Sequence, residues 1–159
     1  MRHAIAFERD ARRWPEDGER PLSPRGIARA QRAAAGLKRL ADRPGRVLAS
    51  PLQRTRQTAA ILTRYARWPT AEPCPALLPG SAAEELLALL ARMSAARIAL
   101  VGHEPDLGEF LATCLGTAAR GVFAFRKMGA AAVEFRGRPG AGRGRLLWFA
   151  SPRVLRAAR

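Results

Sequence analysis

Twice in this chain a short apolar run stops at a polar cluster and a helix pattern begins at once. Arg46-Val47-Leu48-Ala49 gives way to Ser50-Pro51-Leu52-Gln53-Arg54-Thr55, and Arg97-Ile98-Ala99-Leu100-Val101 gives way to Gly102-His103-Glu104-Pro105. Runs of this length suit buried strands and are too short for helices. Parallel neighbours need a crossover, usually helical, so strand, turn and helix in close succession are the repeating unit of a parallel sheet covered by helices. The expected fold is α/β, with a mainly parallel central sheet flanked by helices.

The rest of the chain fits that frame. Ser23-Pro24 opens a helix to about Ala41, since serine accepts from an orphan amide and proline suits the first helical position. Ser50-Pro51 repeats the signal for a second helix through about Ala66. Ser81 is positioned to cap a third, Ala82 to Met93, and a fourth is expected from Pro105 to Leu115. Strands around Ala130–Phe135 and Leu146–Ala150 flank the glycine- and arginine-rich stretch Arg136–Arg145, and a hairpin is their simplest arrangement. With 159 residues, 48% of them hydrophobic, and no repeat or linker, one domain spanning 1–159 is expected.

A formal charge of +15 raises nucleic acid or an acidic membrane as partner. The distribution argues otherwise. Of 28 basic residues only Lys38 and Lys127 are lysine, and arginine is spread along the whole length among alanine, glycine and proline. That spread reads as a coding preference, so no specific nucleic-acid or membrane partner is expected. No run of eighteen apolar residues and no secretory signal pattern occurs, which predicts a cytoplasmic protein. Cys74 and Cys114 stand in no CxxC or Cys/His cluster and suggest neither a disulfide framework nor a metal site.

Arg2-His3-Ala4 is a third polar cluster. Ligands of open α/β sheets bind in the crevice at the strand ends, so three clusters some fifty residues apart in sequence can converge there. Two histidines and two arginines at one crevice suit phosphoryl chemistry. Arginine contacts phosphoryl oxygens through a planar fork, and imidazole, with a reference pKa of ~6.5, keeps a lone pair at neutral pH.

These pieces resemble the histidine phosphatase superfamily, most closely its short SixA-type phosphohistidine phosphatases. The matching segments are RHA at 2–4, RPLSPRG at 20–26, LASPLQRTRQTA at 48–59, LVGHEPDL at 100–107, KMGAAAVEF at 127–135 and SPRVLR at 151–156. They span nearly the whole chain in the family's order. The resemblance implies a phosphoglycerate mutase-like three-layer fold and a phosphatase acting through a covalent phosphohistidine. It makes His3 the nucleophile, Arg2 and Arg54 ligands of the transferring phosphoryl group, and His103 the second pocket histidine. The implied substrate is a phosphorylated protein or a small phosphorylated molecule, and no cofactor or metal is implied.

Two departures stand out. Only Met1 precedes Arg2, so the family's first strand is expected to be truncated and the nucleophile to lie on a frayed terminus. The general acid of larger members has no clear counterpart. Glu104 is the candidate by adjacency, with Glu8 and Asp10 as alternatives. A phosphohistidine substrate relaxes this need, because its leaving imidazole can already carry a proton.

Blander readings stand beside these. His3 alone reads as an exposed terminal residue, His103 as a hydrogen-bonded structural histidine, and Ser50 as a helix cap. Arg56, two residues from Arg54, reads as a solvated helix charge, and Arg20 divides between phosphate ligand and structural residue. A small-molecule phosphomonoesterase of the same family is the nearest functional alternative; a non-catalytic arginine-rich nucleic-acid-binding protein is the one from another class.

Overall fold

In the computed structural model, which describes residues 1–117 and 121–158, three parallel strands stand in the order β2-β1-β3: β1 is Arg46–Ala49, β2 Glu72–Pro73 and β3 Ile98–Val101. Leu48 pairs with Leu100 and Ala49 with Val101, so both strands end level with each other. Val47, Ala49, Ala99 and Val101 join one hydrophobic cluster while Leu48, Ile98 and Leu100 join another. That alternation is the two-residue period of a strand buried on both faces.

Helices α1 (Pro24–Leu40) and α2 (Gln53–Ala66) pack together on the first cluster, with α5 (Pro152–Ala157) against α1. Helices α3 (Ala83–Ala91) and α4 (Asp106–Leu115) pack together on the second. The result is helices, sheet, helices. Strands β4 (Ala130–Phe135) and β5 (Gly144–Ala150) form the expected antiparallel hairpin.

The expectation of a frayed N-terminus is corrected. Met1 is buried, its ammonium donates to the Leu100 carbonyl at 2.6 Å, and Arg2 pairs in parallel with Gly102. On its other edge the Arg2 amide donates to Gly129 O at 3.0 Å, so this short segment links β3 to the hairpin side. Backbone hydrogen bonds on two edges hold what the strand's shortness would otherwise free.

Helix α1 starts where its sequence says, with the Gly26 amide donating to Ser23 Oγ at 3.1 Å, a cap worth roughly 1 kcal/mol. Gly26 is needed for another reason. A Cβ there would fall 1.9 Å from the carbonyl oxygen of Ile5, so only glycine lets α1 press on the segment that follows His3. The other two serine caps are not formed. Helix α2 begins after Leu52, the residue before α3 is Ala82, and the Ser81 hydroxyl donates instead to Pro75 O. No helix among the described residues is long and apolar enough to cross a membrane.

Candidate active site

His3 lies where the N-terminal segment borders β3, and its backbone is fixed on both sides. Its amide donates to Gly102 O at 3.0 Å, and the Ala4 amide donates to Thr58 Oγ1 at 3.0 Å. The side chain is 3% exposed. Nδ1 is 2.7 Å from the Ala4 carbonyl oxygen, which can only accept, so the proton sits on Nδ1 and the lone pair on Nε2. The Lys127 ammonium, 3.2 Å from Nε2, donates to that lone pair and requires the same tautomer.

His103 follows β3 and faces His3, with ring centroids 5.1 Å apart and planes tilted by 58°. Its Nε2 is 2.9 Å from Ser50 Oγ, at the end of β1. The polar clusters that follow β1 and β3 therefore meet in one hydrogen bond, and Ser50 positions a histidine rather than capping a helix. Burial chiefly, then the neighbouring charges of Lys127 for His3 and of Arg54 for His103, push the two pKa values down to about 2 and about 3. Both rings are neutral at pH 7.

Arg54, in the first turn of α2, is buried and reaches Asp17: its Nη1 donates to the Asp17 carbonyl at 2.9 Å and lies 3.3 Å from Oδ2. Arg20 grips the same residue through Nε at 2.8 Å from Oδ1, and its Nη1 donates to Phe7 O at 2.6 Å. Its hydrogen bond with Arg20 holds the Asp17 carboxyl below its ordinary range despite some opposing burial, and the Arg54 charge adds to this. Arg2 donates through Nη1 to Phe125 O at 2.7 Å, while its Nε is buried without a hydrogen-bond partner among the described residues. A buried, unpartnered guanidinium donor is costly unless an anion completes it.

The structure thus brings together His3, His103, Arg2 and Arg54, four residues singled out from sequence. Glu104 goes elsewhere: its Oε2 accepts from the Phe125 amide at 3.1 Å, on the segment whose carbonyl Arg2 holds. Its pKa is raised, mainly by burial, against the opposing Phe125 hydrogen bond. Glu8 is exposed, and Asp10 closes a surface turn by accepting from the Arg12 and Arg13 amides. Arg56 is exposed, as read.

Sequence reasoning missed three partners: Lys127, Asp17 and the histidine contact of Ser50. Lys127 carried one unused signal, being one of two lysines among 28 basic residues.

Residues 1–78 match the model of the histidine phosphatase superfamily, branch 1. An uncharacterised protein of Picosynechococcus sp. (strain PCC 7002) is 40% identical over 113 residues, which cover 69% of this chain and 67% of the relative. The chain belongs to the histidine phosphatase superfamily. Within that superfamily it is similar to solved SixA proteins. The protein histidine phosphatase SixA complexed with tungstate superposes with a TM-score of 0.85 at 27% identity, covering 98% of this chain and 96% of SixA. A putative phosphohistidine phosphatase SixA from Agrobacterium tumefaciens gives 0.78 at 25%, covering 96% and 95%. A putative alpha-ribazole-5'-P phosphatase from Escherichia coli shares the fold, with a TM-score of 0.73 at 18% identity, covering 96% and 94%. The parallel sheet and the helical layers are those of the SixA fold.

Proposed function

We propose that this chain is a cytoplasmic phosphatase for phosphohistidine in proteins, working through phosphorylated His3. The observation that carries the reading is the tautomer of His3. The Ala4 carbonyl fixes the proton on Nδ1, leaving the Nε2 lone pair facing a ring of cations. In this reading Nε2 attacks phosphorus as the bond to the leaving nitrogen breaks, and water then cleaves the His3 phosphoramidate. Arg2 and Arg54 bind the equatorial oxygens, where charge is spread in the transition state, and the unpartnered Arg2 Nε is a ready donor. His103, neutral and anchored on Ser50, lines the same pocket. The likeness to SixA over nearly the whole chain supports a phosphohistidine substrate, and two unpaired buried thiols suit a reducing compartment.

The test is turnover of a phosphohistidine peptide by the wild-type chain and by His3→Ala, with acid-quenched mass spectrometry of the protein. A phosphoryl mass gain on the peptide containing His3, absent in the variant together with turnover, is expected. Turnover by His3→Ala at the wild-type rate removes the covalent reading. Turnover of a small phosphate ester alone, with the peptide untouched, reassigns the substrate.

A further inference from the structure

The contact between Lys127 and the reacting nitrogen is not explained by phosphate binding alone. Three guanidiniums already surround this pocket, and a guanidinium holds its protons at any physiological pH. An ammonium can give one up. Lys127 is delivered by a tight turn, Arg126 to Gly129, in which the Gly129 amide donates to Arg126 O at 2.6 Å and buried Met128 adopts the left-handed region at φ 67°. A non-glycine residue in that region costs about 1–3 kcal/mol and persists only where its surroundings impose it. They do so here: the Met128 amide lies 3.2 Å from Arg2 O and 3.3 Å from His3 O, so the turn is bonded to the backbone of the nucleophile itself. The strained turn aims one amine at Nε2.

Resting on the reading of His3 as nucleophile, we propose that Lys127 is a catalytic residue, the proton donor to the leaving group. As His3 Nε2 forms its bond to phosphorus, the bond from phosphorus to the leaving nitrogen or oxygen breaks with its electron pair. As phosphorus takes the Nε2 lone pair, the Lys127 ammonium gives up its hydrogen bond there. It swings past the phosphoryl oxygens to the leaving atom opposite and passes it a proton, leaving a neutral amine. In the second step water attacks the phosphorus of phospho-His3, the P–N bond pair returns to Nε2, and the amine takes the water proton. Lysine and imidazole are both restored.

The surroundings suit this role. Lys127 faces Arg2, Arg54 and Arg20, with His3 at 3.2 Å and Glu8 as the opposing anionic influence; no carboxylate lies within ion-pair distance among the described residues. Burial first, then those three guanidiniums, lower its pKa to about 8, near the pH at which an acid must both hold and release a proton. Glu104, the carboxylate adjacent in sequence, is occupied by the Phe125 amide.

The experiment is a series of substituted phenyl phosphates of graded phenol acidity, run on wild type, Lys127→Arg and Lys127→Met. Donation by Lys127 makes the wild-type kcat/KM nearly insensitive to the phenol pKa, whereas both variants fall by about 10²–10⁴ for the poorest leaving groups and little for the best. Arginine that restores the flat dependence overturns the proposal, since charge alone then suffices. Indifference of both variants overturns it as well. A readout on the wild-type chain stands independently of how the variants fold: a descending limb near pH 8 in kcat/KM for poor leaving groups, absent for good ones. Phosphorylation of His3 by the most acidic phenol ester is followed in parallel. Its failure sinks the nucleophile reading, whereas its success with an unchanged leaving-group dependence sinks only the role of Lys127.

Discussion

The two histidines of the site sit at ends of neighbouring strand segments, 5.1 Å apart, equally buried and both neutral at pH 7, yet they are held in opposite ways. His3 gives its Nδ1 proton to its own chain and leaves Nε2 to the pocket. His103 has its Nε2 engaged by Ser50. In the proposed reading of His3 as nucleophile, residue type, burial and charge do not separate it from the supporting His103. The hydrogen bond on one ring nitrogen does.

Exchanging or removing these anchors tests that asymmetry. His3→Ala is expected to have the largest effect, a loss of roughly 10⁴-fold or more in turnover, the scale of nucleophile removal in a covalent mechanism. Steady-state assay on a phosphohistidine peptide reads it, and a loss below tenfold breaks the assignment. Arg54→Ala comes next at about 10²–10³-fold, the scale of one lost transition-state donor. Its Tm should fall only modestly, because Asp17 keeps Arg20 as a partner.

Ser50→Ala separates the two rings further. It leaves His103 Nε2 without its partner in a buried place, which costs about 1–3 kcal/mol of stability and by urea titration should exceed the cost of an exposed serine change. Turnover should drop less than for Arg54→Ala, because His3 keeps its anchor. Acid shows the pair together. Both folded-state pKa values lie below the unfolded value near 6.5, so the unfolded chain binds more protons as pH falls past 6.5. Stability is therefore retained above about pH 6.5 and lost below it, by up to about 1.4 kcal/mol per pH unit for each histidine. Urea midpoints at pH 5 and 7.5 measure the loss, and His103→Ala should reduce its slope. The smallest effect is expected for Glu104→Gln: a change in kcat within a few-fold, because its carboxylate serves the Phe125 amide and not the histidines.

Strands β1 and β3, the hairpin and the polar clusters after β1 and β3 were legible because each rests on local chemistry, whereas β2, inside a proline-rich stretch expected to be irregular, was not. Apolar runs of four or five residues pack on both faces of the sheet, and the residues directly after them must lie at its edge. The helix caps misled because a serine before proline serves two purposes. At Ser23 the hydroxyl takes the helix amide, whereas at Ser50 it is engaged by a histidine 53 residues away. Asp17 and Lys127 were not legible for a related reason. Asp17 opens a three-residue 3-10 helix inside a polar stretch with no apolar period, and the turn that carries Lys127 depends on a methionine with positive φ, which no residue preference announces. Distance in sequence, not weakness of the contact, hid them.

The bare backbone at Gly26 has a consequence for which changes this protein can tolerate. Alanine is ordinarily the mildest substitution in a helix, yet at this position it meets the Ile5 carbonyl, two residues beyond His3. A mutational survey scored by activity should thus find an inactivating site on a helix that supplies no group to the pocket. The freedom of α1 to vary is limited by the backbone of the segment that carries His3.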